Sequence, residues 1–205
     1  MGFFLNSICS GENEGIAFTF DDGPDPVTTP KILDILRTEK IKATFFVIGK
    51  RAEKYPEIVK EIDREGHIIA NHSYEHSNTI GFFLTGKLAD DIEKCSNAIE
   101  QIIGKKPTLF RPPFGVTNPK YARAIKKFNL ISIGWSGRSL DTITTNKISL
   151  VNRVRRAIKQ GAILLFHDTQ NVTLEALPEI IDLCKKNGIK IVPLQELIKH
   201  EQYEK

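Results

Sequence analysis

Two carboxylates stand side by side in Thr19-Phe20-Asp21-Asp22-Gly23-Pro24. Alone, Asp-Asp-Gly-Pro is ordinary turn chemistry. Adjacent anions repel unless a cation or an arginine compensates them, so a chemical role requires partners elsewhere. Asn71-His72-Ser73-Tyr74-Glu75-His76 supplies two imidazoles four residues apart. On one helical turn these would face the same way, a frequent metal-ligand spacing, although two solvated surface histidines would read alike. Ser73 after His72 disfavours the His-Glu-x-x-His peptidases. Together Asp22, His72 and His76 offer a divalent ion three protein ligands. Positions then stay open for water and substrate, as in catalytic zinc sites.

Two more segments carry chemistry. In Arg111-Pro112-Pro113-Phe114-Gly115 the arginine can grip a carboxylate bidentately and hold it ionised. The prolines stiffen the chain, and Gly115 allows close approach of backbone to a ligand. Standing alone, the segment would be a rigid surface turn. The apolar run 162–166 ends in His167-Asp168. A lone histidine there is more often a core residue, but an ordinary pKa near ~6.5 suits a general acid at neutral pH. His67 opens a strand-like run and is read as structural, and His200 in the charged tail receives no role.

These residues need a scaffold that brings distant segments together. Short apolar runs at 16–20, 43–48, 68–71, 108–111, 130–134, 162–167 and 189–192 alternate with amphipathic stretches. The latter span 28–38, 56–65, 87–103, 119–128, 149–160, 174–187 and 194–200. Runs apolar on both faces, alternating with helices, predict a parallel sheet with right-handed crossovers. Asp21, Asp22, His72, Arg111, Trp135 and His167 all fall at or just past the carboxyl end of a run. Strand ends converge in a barrel and spread out along an open sheet, so a barrel is favoured.

TFDDGP, NHSYEH, RPPFG and the apolar strand ending in His167, in that order, resemble the motifs of the NodB-homology polysaccharide deacetylases, carbohydrate esterase family 4. The resemblance spans roughly residues 15–192. It implies an α/β fold, a distorted (β/α) barrel of about seven parallel strands, in a single domain covering 1–205. It also implies a hydrolase that removes acetyl groups from N-acetylated sugars of a polysaccharide. In that family's terms Asp21 is the catalytic base, Asp22, His72 and His76 hold the metal, and Arg111 orients the base. His167 is the general acid, and Leu165 lines the pocket for the acetyl methyl. Pro112, Phe114, Gly115 and Trp135 are the remaining expected substrate contacts. The implied cofactor is one divalent ion, zinc first, with cobalt or another divalent ion able to serve.

One motif departs. Where the family often has Trp-Ser/Asn-x-Asp-x-x-Asp-Trp, this chain reads Trp135-Ser136-Gly137-Arg138-Ser139-Leu140-Asp141-Thr142. Arg138 replaces the first acid and Thr142 the last tryptophan, leaving Asp141 as the only acid to support His167. Rival readings are a deacylase of a non-sugar amide, cyclic ureide or O-acetylated xylan, and a binding module that has lost catalysis. Loops 77–86, with Ile80, Phe82, Phe83 and Leu84, and 136–147 are expected to set specificity.

Composition excludes other classes. The net charge of +4 comes from 29 basic and 25 acidic residues scattered without a basic run, which argues against a nucleic-acid partner. No apolar stretch reaches 18 residues, so no membrane span is expected. Cys9, Cys95 and Cys184 are too few and too far apart for a disulfide framework or a cysteine zinc site; Cys95 and Cys184 are expected as buried fillers. Phe3-Phe4-Leu5 lacks the basic flank of a signal peptide, so the protein is cytoplasmic or an export segment lies upstream. A monomer is expected.

Overall fold

The computed structural model describes residues 6–77, 79 and 85–199. Phe3, Phe4, Leu5 and His200 lie outside these. Seven parallel strands form one sheet: β1 (Ala17–Asp21), β2 (Thr44–Val47), β3 (Ile68–Asn71), β4 (Leu109–Phe110), β5 (Ile131–Ser132), β6 (Gly137–Arg138) and β7 (Ile163–His167). Their order is β5-β4-β3-β2-β1-β7-β6. Helices α1 (Thr28–Thr38), α2 (Gly49–Lys54), α3 (Pro56–Arg64), α4 (Thr85–Ile103), α5 (Pro119–Lys127), α6 (Lys147–Arg155), α7 (Asn171–Lys186) and α8 (Leu194–Ile198) fill the connections.

The topology forces curvature. Laid flat, the outer strands of a seven-stranded sheet would stand roughly 29 Å apart. Four residues join β5 at one edge to β6 at the other, and such a link reaches about 18 Å at most. The sheet therefore curls until its edges nearly meet, giving the barrel-like form expected over an open sheet. The N-terminal segment lies in the seam. Ile8 donates its N–H to Ser132 O and accepts from Gly134 N–H, while Gly11 N–H donates to Gly161 O.

Side chains alternate across the curled sheet with the period of two that extended chain imposes. Phe18, Phe20, Phe45 and Phe166 face outward into the helices, with Phe20 stacked on Phe45 at 5.1 Å between centroids. Ala17, Phe46, Ala70 and Ile163 pack in a separate cluster with Leu194 and Leu197 of α8. Each strand is thus buried on both faces, which is why the runs look uniformly apolar. Cys95 and Cys184 sit in the outer cluster as free thiols.

Two expectations about elements need correcting. The run 189–192 is not a sheet strand: it pairs through one residue, with Ile16 N–H donating to Lys190 O and Val192 N–H to Ile16 O. Pro193 then ends the pairing, because proline has no N–H to extend a ladder, and it caps the start of α8. The seventh strand is instead Gly137–Arg138, inside a segment expected as loop. Gly137 permits it: a Cβ there would lie 2.5 Å from Leu164 Cδ2 and 2.6 Å from Ala157 Cβ. Helix α2 was not anticipated either.

Candidate active site

β1 and β7 are hydrogen-bonded neighbours in a register that pairs Thr19 with Leu165 and Asp21 with His167. Register alone therefore puts a carboxylate and an imidazole side by side at the same end of the barrel. The next residue, Asp22, adopts φ 74°, and this left-handed turn brings the second carboxylate round to the same side.

Arg111 organises the centre. It is completely buried, and its guanidinium carbon lies 4.1 Å from the Phe46 ring centroid. Nη1 donates to Asp21 Oδ1 at 2.7 Å and to Thr19 Oγ1 at 2.8 Å. Nε and Nη2 are taken by the carbonyls of Ile133 and Gly134. The expected bidentate grip is therefore a single contact, because the rest of the fork ties down the segment that links the sheet edges. Asp21 Oδ2 stays on the His72 side, 3.8 Å from Nε2. Burial pushes the guanidinium pKa down, and the Asp21 charge works against that.

His72 Nδ1 lies 2.8 Å from the carbonyl oxygen of Arg111. A carbonyl only accepts, so Nδ1 carries a proton, and it is Nε2 that a neutral ring would offer as a ligand. Nε2 of His72 is 3.4 Å, and Nε2 of His76 3.2 Å, from Asp22 Oδ1. That oxygen is buried without a hydrogen-bond donor, and one donor atom from each of the three residues lies within 4.8 Å of the others. An orphaned carboxylate oxygen facing two imidazole nitrogens fits a divalent cation. Burial, then the charge of His72, lowers His76 to about 4 against the pull of Asp22 and Asp21, so it is neutral and able to ligate. Burial alone would raise the Asp22 carboxyl, but in their protonated forms His72 first, then His76 and His167, hold it well below the usual range.

The two histidines do not share a helical turn as expected. Residues 72–77 form a loop with Ser73 at φ 69° and His76 at φ 49°. Asp91 of α4 shapes it: its two oxygens accept the N–H groups of Tyr74 and Glu75 at 2.9 and 3.0 Å. Asn71 Oδ1 accepts Ser73 N–H while its amide donates to Ile92 O and Ser96 Oγ of α4. Asp91 escaped sequence reading, yet a signal exists. It is an acid on the buried stripe Leu88, Ile92, Cys95 and Ile99, where a charge needs a reason.

On the opposite side Asp141 accepts from His167 Nδ1 at 2.7 Å through Oδ1 and from His167 N–H at 2.7 Å through Oδ2. Thr173 Oγ1 of α7 adds a third bond. The supporting acid is in place despite Arg138 and Thr142. Burial would lower His167, but Asp141 first and then Asp21 and Asp22 raise it to about 9. Asp168 turns away from the cavity: its Oδ2 accepts from Thr29 of α1, and burial pushes it up to about 7. His67 is buried beside Ala43 N–H, as its structural reading implied.

Asp21, Asp22, His72, His76 and His167 share a cavity of about 180 Å³ with Pro112, Phe114, Gly115, Trp135, Arg138, Thr142 and Leu165. Phe114 is held at φ 58° against His76, ring centroids 4.7 Å apart, and stays 54% exposed. Gly115 follows at φ 67°, where a Cβ would strike the Trp135 ring at 2.7 Å. Four non-glycine residues with positive φ, Asp22, Ser73, His76 and Phe114, lie in or beside this cavity. Each costs about 1–2 kcal/mol, and such strain collects where geometry serves function. Ile80, Phe82, Phe83 and Leu84 lie outside the described residues.

The family model for polysaccharide deacetylases matches residues 10–132. The chain belongs to the polysaccharide deacetylase family. Among curated polysaccharide deacetylases it is similar to a peptidoglycan-N-acetylglucosamine deacetylase of Bacillus cereus, 39% identical over 91% of this chain and 89% of that protein. It is also similar to the Bacillus subtilis peptidoglycan-N-acetylmuramic acid deacetylase PdaC, at 36% over 89% of this chain and 38% of that one. Among solved structures, the crystal structure of the Bc1960 peptidoglycan N-acetylglucosamine deacetylase superposes with a TM-score of 0.90 at 32% identity. That match covers 96% of this chain and 94% of the other. The polysaccharide deacetylase fold is thus shared over nearly the whole length.

Proposed function

We propose that the protein removes acetyl groups from N-acetylated sugars of a glycan by hydrolysis, with peptidoglycan as the leading substrate. The carrying observation is that an arginine-paired carboxylate and a carboxylate-paired imidazole face one small cavity beside Asp22, His72 and His76. At about 180 Å³ the cavity is smaller than the usual ligand pocket of about 300 Å³ or more. It suits an acetamido group entering end-on, with the glycan along the rim.

Asp22, His72 and His76 would hold the cation, and we assign zinc, which two imidazoles and a carboxylate suit. When bound, it supplies Lewis acidity to the amide carbonyl and to the attacking water. Asp21 is the general base: Arg111 occupies Oδ1, and Oδ2 is left to take a proton from water. Water oxygen bonds to the acetyl carbon, and the carbon–nitrogen bond then breaks. His167 Nε2 delivers the proton the departing amine needs, which its raised pKa keeps available at neutral pH. Phe114 N–H, after two prolines that have none, is the donor we assign to the developing oxyanion. One chain carries every residue named, so we take the monomer as the working unit; a wall substrate places the reaction in the cell envelope.

The test is acetate release from N-acetylglucosamine oligomers and from peptidoglycan with added zinc. Asp21→Asn should lose turnover and keep its zinc. Wild-type release of ammonia without acetate would point to a ureide or other amide; binding without any release would point to an inactive relative.

A further inference from the structure

Trp135 stands between two arginines whose circumstances differ. Each guanidinium carbon lies 5.8 Å from its ring centroid. Arg111 is buried and neutralised by Asp21. Arg138 is exposed at the cavity rim, and among the described residues no carboxylate lies within ion-pair distance of it. Its position is fixed: β6 pairs Arg138 with Leu165 of β7, and Ser139 N–H donates to Leu165 O. Leu165 and His167 lie on the same face of β7, so Arg138 is tied to the strand that carries the acid. Just beyond, Ser139, Leu140, Ile143 and Thr144 line a second cavity of about 430 Å³ together with Arg153 of α6 and Arg156, which caps that helix. Positive charge therefore continues outward from the rim.

If the acetamido group fills the 180 Å³ cavity, the substituents flanking it on the sugar lie along the rim, which Arg138 shares with Phe114, Trp135 and Thr142. An unpaired guanidinium on a fixed strand beside an aromatic face is built to receive an anion of planar, two-oxygen geometry. Resting on the deacetylase reading, we propose that Arg138 is a specificity-determining residue that binds a carboxylate carried by the glycan. The fitting chemistry is a lactyl ether on the carbon next to the one bearing the acetamido group, or the same ether on the adjoining sugar. The preferred substrate class is then a carboxylated N-acetyl glycan rather than a neutral one.

The test compares kcat/KM for acetate release from peptidoglycan glycan-strand fragments and from neutral N-acetylglucosamine oligomers of equal length, with product analysis locating the freed amine. Arg138→Ala should lower the carboxylated-to-neutral ratio about tenfold, as loss of one partly exposed charge-assisted hydrogen bond would. Arg138→Lys should restore part of it, Arg138→Glu should lower it further, and the wild-type preference should shrink with salt. Binding of the same fragments to Asp21→Asn, with and without Arg138→Ala, gives a readout independent of turnover. An unchanged ratio and unchanged binding in Arg138→Ala would overturn the assignment while leaving deacetylation standing. Failure of the wild type to release acetate from either substrate would bring down both.

Discussion

His167 hangs from the last residue of a five-residue strand and is clamped through ring and backbone by one buried carboxylate. Across the cavity, His72 and His76 ride a loop whose backbone is bent twice into the left-handed region and held from behind by α4. With the roles proposed above, the first is the acid wall, and it inherits its geometry from strand register. The ligand wall has to assemble it from side-chain-to-backbone hydrogen bonds. The lesson is that the two walls should fail differently: one through its proton chemistry, the other through its affinity for metal.

Replacing His72 or His76 by alanine strikes the ligand wall hardest. Each variant should lose bound zinc and fall to background acetate release, and excess zinc should not restore full rate. Retained zinc by elemental analysis would remove these residues from the ligand set. Asp21→Asn, lying between the walls, should cost roughly 10²- to 10⁴-fold in kcat with zinc content unchanged. If zinc is lost instead, the roles of Asp21 and Asp22 are exchanged.

Asp141→Asn tests the acid wall through pH. His167 is raised from 6.5 to about 9 chiefly because Asp141 outweighs burial, so its proton is available below that value and lost above it. The variant should move the alkaline limb of kcat/KM to lower pH. Stability follows the same sign: a pKa raised in the folded state contributes fully below about 6.5 and loses that contribution as pH rises to about 9. The gap in unfolding free energy between wild type and variant should therefore narrow across that window. A constant gap would mean that Asp141 acts only through Thr173 and the His167 N–H. The smallest effect is expected from Asp91→Asn, which keeps the loop but weakens its hold. Zinc affinity should drop about 10- to 100-fold, with kcat recovered at saturating metal. Loss of kcat at full zinc occupancy would show that the loop also positions substrate.

The same contrast explains what the sequence disclosed. Strand ends were readable because an apolar run that stops at a charged residue marks both an element and a position in it. Asp21, Arg111 and His167 were placed that way. The His72–His76 loop was misread as a helical turn because four-residue spacing is ambiguous without its long-range partner, and Asp91 lies 15 residues beyond His76. The single rather than double contact of Arg111 with Asp21 could not be foreseen either. It depends on carbonyls at Ile133 and Gly134, which carry no residue-specific signal. Strand β6 hid behind its own brevity, since two residues, one a glycine, show no periodicity.

The short link from β5 to β6 has a consequence for how this pocket could change over generations. Four residues span the seam of the sheet, and Trp135 is one of them. Adding one residue there would rotate β6 by half its repeat and carry Arg138 off the rim, while removing one would pull at the Arg111 contacts to Ile133 and Gly134. Along this stretch new specificities are reachable by exchanging side chains but not by altering chain length, so gain and loss of residues must be accommodated in other loops.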